Sequence, residues 1–409
     1  MSLDVTHDPS ELGFAPDRLA RIDTTFRRYV DGGQLPGWHV VVTRAGHVVH
    51  SSVAGLRDID AGVAWTDDTL VRIYSMTKPL TSVAAMMLYE EAAFDLKDPV
   101  AKFIPSFANL RVYRNGSTMA PVTEAVTEPM QMWHLLTHMS GLTYGWQHQH
   151  VVDALYRKAG FEWGAPDGCT LADCCDRWAE LPLLFQPGTE WNYGVSTDVL
   201  GRVVEVLSGT SLDRFLEERI LSPLKMVDTG FFVRDDQVDR AARLYSPHPA
   251  TGQAVISPLE HTAREIPDFL SGGGGLWGTA ADYLRFCHMM LNRGELDGVR
   301  LLGSRTVDYM TRNHLPGGAD IETFGRQLSA ETMFDGVGFG LGFSVALDPV
   351  HTRVLGSGGE YAWGGAANTV FWCDPEEQIA VVFMTQLLPT GTLPIRTSLS
   401  RLVYQALID

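Results

Sequence analysis

The sequence predicts an α+β fold: an antiparallel sheet flanked by helices, with a mostly helical domain inserted into it. Three observations carry this. Near the N-terminus a helix-periodic stretch runs into a strand–turn–strand pattern. Near the C-terminus strand patterns return and end on an amphipathic helix. Between them, from about residue 97 to about residue 270, short helices alternate with long loops. The simplest division is a discontinuous α/β domain of residues 1–96 and 271–409, interrupted by a helical insert of residues 97–270.

Pro16 to Gly32 carries Leu19, Ile22, Phe26, Tyr29 and Val30 at helical spacing, with proline at its start and Gly32-Gly33 at its end. A hairpin follows: Trp38 to Thr43 and His47 to Ser51 flank a turn at Ala45-Gly46. Leu80, Val83, Ala84, Met87 and Leu88 then mark one face of a helix that begins at or just before Ser75. In the middle region Met130 to His138, Asp198 to Leu207 and Leu212 to Ile220 read as helices, the second stopped by Ser208-Gly209. Phe339 to Val345 reads as one strand. Ala366 to Cys373 and Gln378 to Gln386 read as two more, joined at Asp374-Pro375-Glu376-Glu377, and Ile395 to Ile408 closes the chain as a helix.

Composition narrows the class. The 409 residues are 45% hydrophobic and 20% charged, ample for a large core. A formal net charge of −17 repels nucleic acid and anionic lipid, so neither is expected as a partner. No stretch approaches the roughly 20 apolar residues that span a bilayer. Met1 to Asp8 lacks the basic start and apolar run of a signal peptide, so a cytoplasmic protein is expected. Five cysteines, with Cys174-Cys175 adjacent and no Cys-x-x-Cys, point to neither a disulfide framework nor a cysteine zinc site. His134 and His138 stand at i, i+4, but without the metalloprotease glutamate between them, and no metal is expected. His148 and His150 flank Gln149 in a loop and are expected in solvent.

The chemistry centres on Ser75-Met76-Thr77-Lys78. At the start of a helix, residues three apart share a face, so the hydroxyl and the amine can meet. Serine needs a base to become a nucleophile. A lysine can serve when its surroundings lower its pKa to roughly 7–8, and the helix N-terminus offers N–H donors to an oxyanion. The motif alone also fits a capping serine followed by a solvated lysine. Tyr193, in the loop Pro187 to Val195, either packs in the core or lies against the pair as a second proton carrier. The glycine-rich run Ser357 to Asn368 is either a plain connection or a strand edge that lends an N–H to an oxyanion hole, the Ser75 N–H being the other donor.

Five segments in order tip these alternatives: Ser75-x-x-Lys78, Leu135 to Leu142, Pro187-Gly188…Tyr193, Gly272 to Tyr283, and Trp363-Gly364-Gly365. Together they resemble the serine β-lactamase-like superfamily of class C β-lactamases and penicillin-binding proteins, and within it family VIII carboxylesterases. The resemblance runs from about Phe14 to the C-terminus. It implies a β-lactamase-like fold with Ser75 as acylated nucleophile, Lys78 as its base partner and Tyr193 as second proton-transfer residue. It places Trp363-Gly364-Gly365 where β-lactamases carry Lys-Thr-Gly, so the Ala366 N–H completes the oxyanion hole with that of Ser75.

Two departures matter. Trp363 replaces the lysine that receives an antibiotic's carboxylate, and Val195 replaces an asparagine two residues after the tyrosine. An apolar wall offers a carboxylate no compensating charge. The reading is therefore a cofactor-free serine carboxylesterase acting on small to medium esters. An acyltransferase with the same acyl-enzyme, a β-lactamase or D-amino-acid peptidase, and a non-catalytic binding protein are the alternatives. Trp363, Gly364 and Gly365, with Tyr144 and Trp146 from the aromatic-rich middle region, are the expected substrate-binding residues. Oligomeric state is not legible in the sequence.

Overall fold

The computed structural model describes residues 3–326 and 332–408. Met1 and Ser2, part of the stretch read for a signal peptide, lie outside the described residues, as do residues 327–331 and Asp409.

The sheet is built from both ends of the chain. Its strands are β1 (Gly37–Arg44), β2 (His47–Asp58), β3 (Val63–Ala64), β4 (Val337–Phe339), β5 (Ser344–Ala346), β6 (Tyr361–Gly364), β7 (Val370–Asp374) and β8 (Ile379–Met384). They lie in the order β4-β5-β6-β7-β8-β1-β2-β3, every neighbouring pair antiparallel. The β1–β2 turn falls on Ala45 and Gly46, both at positive φ (49° and 81°), the left-handed pair that matches the twist of a two-residue hairpin. Val41 pairs with Val382 at the centre.

Alternation gives the sheet two apolar faces. Val40, Val42, Val381 and Phe383 pack beneath helices α1 (Arg21–Asp31) and α5 (Ile395–Tyr404). Val41, Phe371 and Val382 face α2 (Thr77–Glu90) and α4 (Ala280–Leu291). Helix α2 is buried from Thr77 to Leu88, the burial of a central element. Helix α3 (Ser196–Ser208) packs on it and ends at Gly209, whose φ of 71° supplies the left-handed C-cap.

Three expectations need correcting. Phe339 to Val345 is not one strand: Gly340 to Phe343 turn the chain between β4 and β5, with Gly342 at φ 101°. Ala366 to Thr369 form a turn before β7 rather than its first residues. The middle of the chain, besides its helices, holds two hairpins, Arg111–Ser117 with Ala120–Ala125 and Tyr245–Pro247 with Ala254–Ile256.

Where α5 meets the sheet, the Tyr404 hydroxyl lies 2.7 Å from both Glu360 Oε2 and Asp374 Oδ2. One hydroxyl has one proton to give, so a second is needed to make both contacts hydrogen bonds. Glu360 supplies it: burial pushes its carboxyl up to about 8 from 4.5, with Asp374 adding to the shift. Between pH 4.5 and 8 the folded chain then holds a proton that the unfolded chain has lost, so this group's stabilisation fades as pH rises through that window. In Glu360→Gln, the fall in melting temperature between pH 5 and pH 8 should shrink by several degrees, since a carboxyl raised from 4.5 to about 8 carries a few kcal/mol of pH-dependent stability, on the order of 1.4 kcal/mol per pH unit, across most of that span. Differential scanning calorimetry at the two pH values checks it, and an unchanged slope would remove Glu360 as its source.

Candidate active site

Ser75 lies in a single 3₁₀ turn, Tyr74–Met76, that leads into α2. Tyr74 holds φ at 44°, a left-handed conformation that costs a non-glycine residue free energy and swings the chain sharply at the serine. The turn is held from three sides. Ile73 N donates to Leu276 O at 3.0 Å, Leu276 N donates to Thr77 Oγ1 at 3.2 Å, and the Tyr283 hydroxyl donates to Met76 O at 2.9 Å.

Lys78 points back along the helix at Ser75, its Nζ 3.2 Å from Ser75 Oγ. The lysine is 1% exposed. Its Nζ also donates to the carbonyl of Gly273 at 2.6 Å and to the hydroxyl oxygen of Tyr144 at 2.9 Å. The Tyr193 hydroxyl donates to Ser75 Oγ at 2.6 Å, and the Tyr193 ring lies 4.6 Å beneath Lys78 Nζ. Lys78, one turn along the same helix, and Tyr193, from a distant loop, thus converge on one hydroxyl.

The scaffold around them is specific. Asn192 N donates to His138 O and Asn192 Nδ2 to Leu142 O, both at 2.9 Å, which fixes the tyrosine loop against residues 138–144. The Tyr193 ring stacks on Trp191 and meets Trp363, Tyr144 and His138 at steeper angles. Across the site, Asp198 Oδ1 accepts from Ser271 Oγ (2.6 Å) and Gly273 N (3.0 Å), pinning the loop whose carbonyl holds Lys78. Burial raises the Asp198 carboxyl above its ordinary range, and the Lys78 charge partly opposes that. A side chain at position 273 would put its Cβ 2.5 Å from Asp198 Oδ2, so only glycine lets the loop approach this closely.

The run Trp363-Gly364-Gly365 is the end of β6 and the turn beyond it. Gly365 N donates to Thr369 O at 2.8 Å, and a Cβ on Gly365 would fall 2.4 Å from Ile73 O. This close approach sets Ala366 beside Tyr74, the residue before the serine. Trp363 itself is 1% exposed, its ring against Tyr193 and Phe339. It backs the tyrosine and offers a ligand almost no surface, which corrects the expectation of a substrate-facing wall. Gly364 turns its Cα toward Arg396 on the opposite face. Tyr144 and Trp146 are partly buried and stacked on each other at 5.2 Å.

The Tyr144 hydroxyl, the Gly273 carbonyl and Asp198 join this cluster without a signal in the sequence that marks them as its members. The Gly272–Gly275 run comes nearest, as a backbone passage beside the site. His134 and His138 do not converge as ligands. His134 Nδ1 accepts from Gln131 N as a helix cap, and burial takes its pKa down to about 4. His138 packs among Trp191, Tyr193 and Phe339, held well below its ordinary pKa by burial and by the Lys78 charge. His150, expected in solvent, is the half-buried N-cap of the helix Val151–Lys158. The five cysteines are buried and unpaired. Among the described residues no cluster of three or more His, Cys, Asp or Glu is arranged for a metal, and no helix is long and apolar enough to cross a membrane.

A Beta-lactamase family model matches residues 22–405. The chain belongs to this family. It is 35% identical to Protein Rv1367c of Mycobacterium tuberculosis (strain ATCC 25618 / H37Rv), over 89% of either sequence. It is 29% identical to Esterase EstB of Burkholderia gladioli over 97% of this chain and 98% of that one. Among solved structures it resembles EstCE1, described as a hydrolase with promiscuous acyltransferase activity, with a TM-score of 0.80 and 25% identity over 96% of this chain and 99% of that one. The β-lactamase-like fold, with its antiparallel sheet and flanking helices, holds from end to end of that match.

Proposed function

We propose that the protein is a cytoplasmic carboxylesterase that cleaves small to medium esters through an acyl-enzyme on Ser75. The family and its esterase and acyltransferase members make it a serine hydrolase acting on esters. The observation that carries the finer reading is the position of Ser75 Oγ, 2.6 Å from the Tyr193 hydroxyl and 3.2 Å from Lys78 Nζ.

Ser75 Oγ attacks the ester carbonyl as its proton passes to the Lys78–Tyr193 pair, which acts as one coupled system. The carbonyl oxygen becomes an oxyanion held by the N–H groups of Ser75 and Ala366. Collapse breaks the C–O bond, and Tyr193 returns the proton to the departing alcohol. Water attacks the acyl-enzyme, gives up a proton by the same route, and releases the acid and a restored Ser75. No step calls on a cofactor. Tyr144 and Trp146 border the substrate, and the Trp363–Gly365 strand end carries the oxyanion donor.

Trp363 and Val195 favour a neutral ester over a β-lactam, since neither supplies a polar partner for the antibiotic's carboxylate or amide. The likeness to EstCE1 supports a second outcome, transfer of the acyl group to an alcohol in place of water. The test is hydrolysis of p-nitrophenyl acetate, butyrate and octanoate beside nitrocefin, with a fluorophosphonate probe and added alcohol. Ester turnover with labelling at Ser75 and little nitrocefin turnover is expected. Fast nitrocefin turnover would overturn the esterase reading in favour of a β-lactamase, and a folded protein that takes no label would overturn both.

Tyr144 acts on the serine through Lys78. Its hydroxyl and the Gly273 carbonyl occupy two directions around Nζ, which steers the amine toward Ser75 Oγ along a third. A hydrogen bond to a charged group is worth about 1.5–3 kcal/mol. Tyr144→Phe should therefore lower kcat roughly 10- to 100-fold and leave KM for p-nitrophenyl butyrate little changed. An unchanged kcat would strip Tyr144 of this positioning role.

A further inference from the structure

Asp198 stands in the first turn of α3 and is buried. The loop of residues 271–273 runs between α3 and α2 and is bonded to both. From α3, Asp198 Oδ1 accepts from Ser271 Oγ at 2.6 Å and from Gly273 N at 3.0 Å. From α2, Thr81 Oγ1 donates to Gly272 O at 2.8 Å, and Lys78 Nζ donates to Gly273 O at 2.6 Å. The fit is close on both sides. A Cβ on Gly272 would meet Thr197 O at 2.8 Å, and one on Gly273 would meet the Asp198 carboxylate at 2.5 Å.

Gly273 thus has a carboxylate at its N–H and the Lys78 amine at its C=O. Nζ donates to Ser75 Oγ, Tyr144 and Gly273 O, three bonds that match the three protons of an ammonium. With one glycine residue between them, the two groups are no more than about 9 Å apart. Both are buried, so water screens them weakly. Burial raises the Asp198 carboxyl, and Lys78, Ser271 and Gly273 N each oppose that by favouring its charged form. The other titratable groups facing this pair bring no matching charge. Tyr144 and Tyr193 are phenols, and His138 is held neutral by burial and by Lys78. Burial pushes the Cys174 and Cys175 thiols up, with the Asp198 charge adding to it. Nearer solvent, Arg202 is paired with Glu205 at 2.9 Å, and the exposed Glu162 lies against His148 at 3.5 Å.

Resting on the ester-hydrolase reading above, we propose that Asp198 is a positioning residue for Lys78 that works by charge as well as by shape. Its carboxylate holds the Ser271–Gly273 loop in place and tunes how readily the Lys78–Tyr193 pair takes the serine's proton. Two opposing effects meet at a buried lysine: burial favours the neutral amine, and a nearby carboxylate favours the ammonium. An amine governed by burial alone is a weak base, and a general base works best with its pKa near the working pH. Asp198 supplies the second effect through Gly273, without a bond to Ser75.

The test follows kcat/KM for p-nitrophenyl butyrate and the rate of fluorophosphonate labelling, with the full chain, from about pH 5 to about pH 9. Both quantities read attack by Ser75, so both fall at low pH as the Lys78–Tyr193 pair takes up its proton. Asp198→Asn removes the charge and keeps an oxygen for Ser271 and Gly273. Losing a negative charge makes the pair easier to deprotonate, so its acid limb should move to lower pH by about one unit. The plateau rate should fall several-fold as the base weakens. Asp198→Ser is a second charge-free variant and should move the limb the same way. Ser271→Ala takes one bond from the clamp and leaves the charge, so its limb should stay at the wild-type position while kcat falls. Melting temperatures serve as the control for folding.

An acid limb that neither charge-free variant moves, with Ser75 still labelled, would overturn the role of the charge and leave the hydrolase standing. A limb that moves equally in Ser271→Ala would trace the shift to the loop and overturn it as well. If neither charge-free variant folds, Asp198 belongs to the fold alone and the proposal is lost. No turnover and no label on folded wild-type protein would bring down the hydrolase reading and this one with it.

Discussion

Ser75→Ala should abolish ester hydrolysis and fluorophosphonate labelling while the protein keeps a nearly unchanged melting temperature. The expected loss in kcat is about 10⁵–10⁶, the scale seen when a member of a cooperating nucleophile–base unit is removed. The loss is large because nothing else in the cluster can form the acyl bond. Lys78 is buried and held by Gly273 and Tyr144, and of the other hydroxyls those of Tyr144 and Tyr193 are phenolic, that of Ser271 is bonded to Asp198 and that of Thr77 accepts from Leu276 N. Stability is spared because alanine fits the 3₁₀ turn and because the turn's anchors do not use the serine hydroxyl: Leu276, Thr77 and Tyr283 bond through other atoms. The missing hydroxyl leaves Tyr193 without this acceptor, a cost of about 1 kcal/mol. Rates with p-nitrophenyl butyrate, read with the calorimetric scan, check both halves. A variant that still turned over at more than a hundredth of the wild-type rate would move the nucleophile away from Ser75.

The features legible in the sequence are local ones. Ser75 and Lys78 sit one helical turn apart, so their meeting follows from helix geometry alone. The β1–β2 hairpin shows itself by alternation around a two-residue turn, and α3 by a five-residue apolar face with a glycine stop. Tyr193 needs the family resemblance, because its approach to Ser75 spans 118 residues of chain and depends on a loop with no periodic signal.

The features that stay hidden share a physical cause. Lys78 reaches Gly273 across 195 residues through a backbone carbonyl, and every residue type carries one. Asp198 looks like an ordinary first-turn acid of α3, where the helix dipole favours a carboxylate, and its second task of holding Ser271 and Gly273 leaves no trace in spacing. The hairpin Arg111–Ser117 with Ala120–Ala125 is largely exposed and polar, so it lacks the one-sided apolar alternation by which a half-buried strand is read. Trp363 stands at the motif position the resemblance points to, yet its neighbours Tyr193 and Phe339 absorb its ring. Position in a motif locates it, and only packing decides which way it faces.

Tyr193→Phe should lower kcat about 10³-fold on an alkyl ester, within the usual worth of a positioned proton-transfer group, and the loss should depend on the leaving group. Phenylalanine keeps the ring that packs on Trp191, Trp363, His138 and Tyr144, so the site's shape survives and KM moves little. What disappears is one hydroxyl, 2.6 Å from Ser75 Oγ. If that hydroxyl protonates the departing oxygen, its absence is felt in proportion to how basic that oxygen is. Ethoxide leaves poorly without a proton, whereas p-nitrophenoxide leaves readily as the anion. Ethyl butyrate should therefore lose at least tenfold more activity than p-nitrophenyl butyrate in the same variant. Tyr144→Phe supplies the contrast: its hydroxyl bonds Lys78, so its loss should weigh on both esters alike. Equal losses for the two esters in Tyr193→Phe would assign Tyr193 to activating the serine and leave protonation of the alcohol to Lys78. A selective loss on the alkyl ester ties the leaving group to the tyrosine.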